Sequence, residues 1–425
     1  SFDWTDFVIK KNAPQTSLNA NLTGGSDKVR YYLSGTNLAQ NSVLGREYKY
    51  NRTNIQSNIT AQISKSLKVG VQINGRSEIV ENPGVPGGDD YFLAKFAIIR
   101  NTPLDRPYAN DNPQYLQDNG DHTQANWAFL NYKIAGKYKS TRRAITTNVD
   151  AEWQVPAVKG LVLKGVYSYY LEDYLLNNHE YTYDAYTYRP VTKIYERTNG
   201  SSNPWRERDQ RKQENVNTQV QLNYNNKFGD HTIGATVVAE RIKRHYLRNW
   251  LHASPTTNAL PLIYFPTADT YNDEDAFQAR VGYIGRITYS FANRYFLEAS
   301  ARRDASYLFA PDKRVGYFPG ISAGWRITEE AFMKRLLGNQ TFVNDIKFRG
   351  SYGVLGDDRN PNDPNRPIVD EFKYLEGYNY NNGLSIFNNN AVVGSRDRGV
   401  PVTNISWLKS KVTDVGLDYV LLKNK

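Results

Sequence analysis

Apolar and polar residues alternate along this chain with a period of two. The pattern is clearest from residue 281, where the large apolar side chains Val281, Tyr283, Ile287, Tyr289 and Phe291 stand at every second place. Between them come Gly282, Arg286, Thr288 and Ser290. After Ala292-Asn293 the alternation resumes, with Tyr295, Leu297, Ala299 and Ala301 on one side and Phe296, Glu298, Ser300, Arg302 and Asp304 on the other. Such a period predicts a β-strand with two unlike faces. Each stretch has roughly the 9–11 residues that a strand needs to cross a bilayer.

The same reading predicts strands over residues 14–25, 28–40, 48–64, 67–78, 143–154, 161–175, 214–227, 232–246, 281–291, 295–304, 316–327, 345–355 and 402–421, thirteen in all. Four long stretches break the pattern, at 80–142, 176–212, 247–275 and 356–401. The apolar run 91–99 reads as helix within the first of them. Residues 328–337 read as a short helix with Thr328 as N-cap and Glu329 and Glu330 in its first turn, facing the positive end of the dipole. Apart from that helix, short turns alternate with longer loops. Sorting by parity is what an up-and-down barrel does, with tight periplasmic turns and long external loops. An all-β antiparallel transmembrane barrel is therefore the expected fold. The odd strand count, with outer strands almost flush with the chain ends, leaves two open edges and points to part of a larger barrel.

Composition changes this picture little. Aromatic residues make up 13%, with 32 Tyr, as suits rings at a membrane interface. The mean hydropathy of -0.66 and the lack of any apolar run of about 20 residues exclude membrane helices and leave a barrel open. There is no Cys, hence no thiol chemistry. With a single Met, not at position 1, and no signal-peptide stretch, the chain reads as a mature product or an internal piece. The net charge of +10 is scattered apart from residues 206–212 and 241–248, both beside expected loops. Solvated loop edges explain those runs, and no nucleic-acid partner is expected.

Candidate chemistry is sparse. The five His have no metal-ligand spacing, no nucleophile motif occurs, and neither an enzyme nor a cofactor is expected. Asp357, Asp358 and Asp363 lie in an oxygen-rich loop and are a weak Ca²⁺ candidate set, with Arg359 and two Pro spoiling the spacing. Trp127, Trp205 and Trp250 fall in or beside long gaps, where flat rings could contact substrate at an external mouth. By alternation Arg286, Glu298, Arg302 and Asp304 face the lumen.

Several of these stretches resemble the signature strands of SusC/RagA-like TonB-dependent outer-membrane transporters. They include Gly285-Arg286-Ile287-Thr288-Tyr289-Ser290, Arg302-Arg303-Asp304, Gly316-Tyr317-Phe318-Pro319, Ser322-Ala323-Gly324-Trp325-Arg326, Glu329-Glu330-Ala331-Phe332-Met333 and Arg349-Gly350-Ser351-Tyr352-Gly353. Asp3-Trp4-Thr5-Asp6 near the start, and Ile405-Ser406-Trp407 with Asp414-Val415-Gly416-Leu417-Asp418 near the end, extend the likeness along the chain. Ala305, Gly320 and Leu408 depart from the family pattern. The resemblance implies a barrel of about 22 strands closed by a plug domain. It also implies a SusD-like surface lipoprotein as lid, and TonB as the energy source acting through the plug region. The cargo would be oligosaccharide, other glycan or peptide, and the location the outer membrane of Bacteroidota. Residues 1–425 would then be a barrel section, without plug or N-terminal domains. A secreted all-β adhesin or glycan-binding protein is the alternative, and a β-rich glycosidase a third, for which no carboxylate pair stands out.

Overall fold

The computed structural model describes the chain apart from residues 85–89, 120–125, 202–205, 255–256, 260–261, 264–269, 339–341 and 423–425. Thirteen strands pair side by side, in chain order, in one antiparallel sheet. They are β1 (Gln15–Gly25), β2 (Val29–Ser42), β3 (Gly45–Gln62), β4 (Leu67–Pro83), β5 (Gly136–Gln154), β6 (Leu161–Glu180) and β7 (Arg206–Phe228). Then follow β8 (His231–Ala253), β9 (Thr270–Phe291), β10 (Tyr295–Ser306), β11 (Val315–Arg326), β12 (Val343–Asp357) and β13 (Leu408–Leu421). Every expected strand is present. Among the described residues, β1 and β13 each pair with one neighbour only.

Register carries the two-faced pattern across the whole sheet. Ala299 of β10 pairs with Ile287 on one side and Ile321 on the other, and the apolar row continues through both neighbours. Leu33, Ile55, Val149, Leu222, Val237, Ile287, Leu297, Ile321 and Leu417 all stand on this face, and each is more than a third exposed. An apolar surface of that extent is a membrane-facing belt. Trp153, Phe291, Tyr295, Trp325 and Phe348 edge it towards the short turns, and Tyr283, Tyr317 and Tyr352 towards the other end. The opposite face is polar and more shielded: over residues 295–302 of β10 the half-buried positions are Phe296, Glu298, Ser300 and Arg302. A sheet curved towards its polar side produces that difference.

One end carries tight connections. Between β9 and β10 the two central residues Ala292 and Asn293 have φ of 49° and 58°. Both positive values match the turn whose twist suits a two-residue hairpin. Because the strands run antiparallel in chain order, all four long stretches lie together at the other end. They touch there: the Thr182 amide donates to Asn258 Oδ1 at 2.9 Å, and the Asp118 amide to the Tyr186 carbonyl at 2.9 Å. Residues of 84–135 fold over α1 (Trp4–Val8) and include α2 (Asp90–Arg100), with Trp4, Val8, Leu93, Ala97, Trp127 and Phe129 forming the main apolar core.

The strands reach well into the expected gaps. β7 and β8 are 23 residues each, about 75 Å at ~3.3 Å per residue, far beyond what a bilayer requires. Past the belt polar and apolar residues mix on both faces, so the alternation that marks a strand disappears while the backbone pairing continues. The basic runs 206–212 and 241–248 are in fact paired strand, with Arg211 opposite Arg248. The acidic run Asn272-Asp273-Glu274-Asp275 is also strand, in β9.

The short helix starts later than expected. A 3₁₀ turn, Ile327–Glu329, precedes α3 (Ala331–Leu337), and Glu330 occupies the N-cap position without a side-chain cap bond. Thr328 is buried, and its hydroxyl donates to Asp345 Oδ1 at 2.9 Å, so it staples the connection to β12 instead of capping a helix. Nor do the two Glu serve the helix dipole. Glu329 pairs with Lys334 at 2.7 Å, and Glu330 accepts from Tyr295, Trp325 and Arg294.

Candidate functional site

The polar face is richest at its long-loop end, where side chains from four consecutive strands meet. Asp209 of β7 is 1% exposed. Arg211 holds it at 2.5 Å and Arg248 of β8 at 2.9 Å. A carboxylate this buried persists only because two guanidinium groups replace its water. Arg211 also lies 5.2 Å from the centre of the Tyr174 ring, and Arg142 of β5 lies 5.5 Å from the same ring. Trp250, two residues beyond Arg248, donates to Glu207 Oε1 at 2.6 Å and stacks on His252 with centroids 6.0 Å apart. Aromatic planes and charged groups therefore alternate across this wall.

A second group sits on β9 and β10. Arg280 meets Asp358 at 2.7 Å, and the Ser306 hydroxyl donates to the same carboxylate at 2.9 Å. Above it Gln278 and Tyr307 both donate to Glu371 Oε1, each at 2.7 Å. Residues of the last long stretch are thereby fastened to the polar face. At the first long stretch, the Tyr132 amide donates to Glu47 Oε2 at 2.6 Å. Burial, and then the Glu81 and Glu47 carboxylates, push the Tyr132 hydroxyl up to about 12.

The residues singled out from sequence fare differently. Arg286 pairs with Glu298 at 2.6 Å, and Arg302 with Asp304 at 2.5 Å and Glu240 at 3.2 Å; all five carry their side chains on the face opposite Leu297. Trp250 is half-buried on the polar face. Trp127 is buried and stacks on Tyr48, so packing uses its ring and it leaves the contact set. Trp205 lies outside the described residues, as does His122. The calcium set does not converge. Arg359 occupies Asp357 at 2.9 Å, Arg280 occupies Asp358, and Arg366 approaches Asp363 at 3.4 Å. Each carboxylate spends its charge on arginine, and no cluster of three metal-ligating side chains occurs among the described residues. Sequence reasoning missed Asp209, Arg211 and Arg248. The signal was there, as two basic runs of which 206–212 holds acids inside, but without strand alternation they read as loop edges.

The fold and its two faces define an outer-membrane β-barrel wall. No family model matches the chain. Over its whole length it is 24% identical to TonB-dependent receptor P3 of Formosa agariphila, covering 40% of that protein. A 146-residue part is 32% identical to TonB-dependent receptor SusC of Bacteroides thetaiotaomicron, covering 34% of this chain and 13% of that one. The RagAB peptide transporter superposes on all of it with a TM-score of 0.72 at 18% identity, over 44% of the solved chain. The chain thus resembles SusC- and RagA-type TonB-dependent receptors and has the fold of their barrel wall, and it spans two fifths or less of the curated relatives named here.

Proposed function

We propose that these residues form part of the barrel wall of a SusC-like importer that takes glycans, oligosaccharides or peptides across the outer membrane. The observation that carries this is the single apolar belt running over all thirteen strands, backed by a polar face of paired ions and aromatic rings. Such a face suits passage: hydroxyls and amides of a cargo find donors, acceptors and flat rings, while the paired charges hold none of it tightly. In this reading Arg286, Glu298, Arg302 and Asp304 line the lumen, where a plug domain rests, and Trp250 touches cargo at the external mouth. The wall works with a SusD-like surface lipoprotein over the long-loop end and with TonB through the plug region. It performs no chemistry on its cargo. Further strands of the receptor pair with β1 and β13, since an open edge in lipid costs several kcal/mol for each unpaired backbone group.

The test is uptake by cells that depend on the full-length receptor, offered labelled maltooligosaccharides and labelled oligopeptides in turn. Import of one of them that stops when TonB is removed, with the protein in the detergent-extracted membrane fraction, is the expected result. Protein recovered without detergent, binding glycan but importing nothing, would favour the adhesin alternative.

A further inference from the structure

The upper edge of the belt carries cations that have no counter-charge among the described residues. On the outward face of β8, the apolar positions Ile233, Ala235, Val237 and Ala239 give way to Arg241 and then Lys243. Two strands away, Arg303 is the last outward residue but one on β10. Between them stands Tyr283 of β9, paired in register with both Ala239 and Arg303. The Arg303 guanidinium lies 5.6 Å from the centre of the Tyr283 ring. Neighbouring strands are about 4.8 Å apart, so β8 and β10 are about 10 Å apart and their long side chains can converge.

Among the described residues, no carboxylate on this face pairs with any of the three. Arg241 is flanked in register by Thr218 and Val281, and Lys243 by Val216 and Ala279. The nearest outward carboxylates, one and two rows higher, are already engaged: Glu214 with Lys212 at 2.7 Å and Asp275 with His245 at 2.7 Å. The opposite edge differs, since Tyr295 and Trp325 there donate to the Glu330 carboxylate. Cations at one edge of a membrane belt, with a Tyr ring among them, complement lipid phosphates at that depth.

We propose that Arg241, Lys243 and Arg303 form a docking edge for phosphate headgroups of outer-leaflet lipids. The inference rests on the membrane orientation given above, with long loops outside. The edge binds anionic lipid selectively and holds the barrel at fixed depth. Each cation contributes about fivefold to the association, and the binding weakens with salt.

The full-length receptor is purified in detergent and titrated with phosphatidylglycerol or phosphatidylcholine, with thermal stability as the readout. Selective stabilisation by phosphatidylglycerol, lost on the order of a hundredfold in the R241Q/K243Q/R303Q variant and retained in a K65Q/K159Q control, is expected. Should the triple variant fail to insert, K243Q alone decides, with about a fivefold loss. An equal response to both lipids, or an unchanged variant, overturns the docking edge. So does stabilisation by dextran sulfate without a lipid preference, which would make the edge a site for soluble polyanions. Absence of the receptor from the membrane fraction would instead overturn the membrane reading on which the inference rests.

Discussion

Arg280 and Asp358 are 78 residues apart in sequence and 2.7 Å apart in space, with the Asp358 side chain 2% exposed. This pair, with the Ser306 hydroxyl, fixes where the last long stretch leaves β12 and meets the polar face of β9. Replacing Arg280 by Gln strands a buried carboxylate. A fully buried pair broken on one side costs about 3–5 kcal/mol. Arg280 is 44% exposed, so water offsets part of that, and about 1–3 kcal/mol is expected. Hydrogen exchange of the full-length receptor should show lost protection at Ile368, whose amide donates to the Asp358 carbonyl. Unchanged exchange there would mean that the stretch is held by other contacts.

Glycine is required beside Phe318. A Cβ at Gly356 would lie 2.0 Å from Phe318 Cε1, and one at Gly316 would lie 2.4 Å from its Cζ. The ring cannot swing aside freely, because it is buried and meets Trp407 edge-on at 5.3 Å. Gly356→Ala should therefore destabilise by about 1–3 kcal/mol, the usual range for overpacking. Adding Phe318→Leu should return part of the loss in a double-mutant cycle of unfolding midpoints. Additive effects would contradict the clash.

Glu330 gives a pH dependence. The hydrogen bond from the Tyr295 hydroxyl, then that from Trp325, and then Arg294 hold its carboxyl below the ordinary 4.5. A depressed carboxyl contributes stability that is complete above the unfolded value and is lost as pH falls through the folded one. Protection of the short-turn end should accordingly fall on acidification below about pH 4.5, the ordinary Glu value. Glu330→Gln should flatten that fall. An identical acid response in the variant would assign the effect elsewhere.

The thirteen strands were legible because each crosses the belt, where one face must be apolar and the other polar. Their true ends were not. From Arg241 upward β8 mixes polar and apolar residues on both faces, and the readable pattern ends at 246 while pairing runs on to Ala253. Ion pairing between strands sets that region, and it follows register, which a single sequence conceals: Asp209 needs Arg248, 39 residues away. Thr328 looked like a cap because a helix follows it, yet Asp345 claims its hydroxyl. Trp127 looked available because it sits in a long loop, whereas α1, far off in sequence, helps to bury it.

Lipid depth gives a mutational contrast. Ile287 is 60% exposed on the apolar face, in the row shared with Ala299 and Ile321. Ile287→Arg should cost about 2–4 kcal/mol in folding titrations into bilayers, the cost of a cation near the midplane. Ser300→Arg, on the opposite face, should cost far less. Equal losses would refute the facing.

The central claim, a membrane wall with one face to lipid, is tested most directly by spin labels on β10. The chain has no native Cys, so each cysteine placed from Tyr295 to Ser306 is unique within it. With the full-length receptor in bilayers, accessibility to oxygen should rise at Leu297, Ala299 and Ala301 and fall at Glu298, Ser300 and Arg302, with a period of two. Flat accessibility, or the opposite phase, would contradict the account.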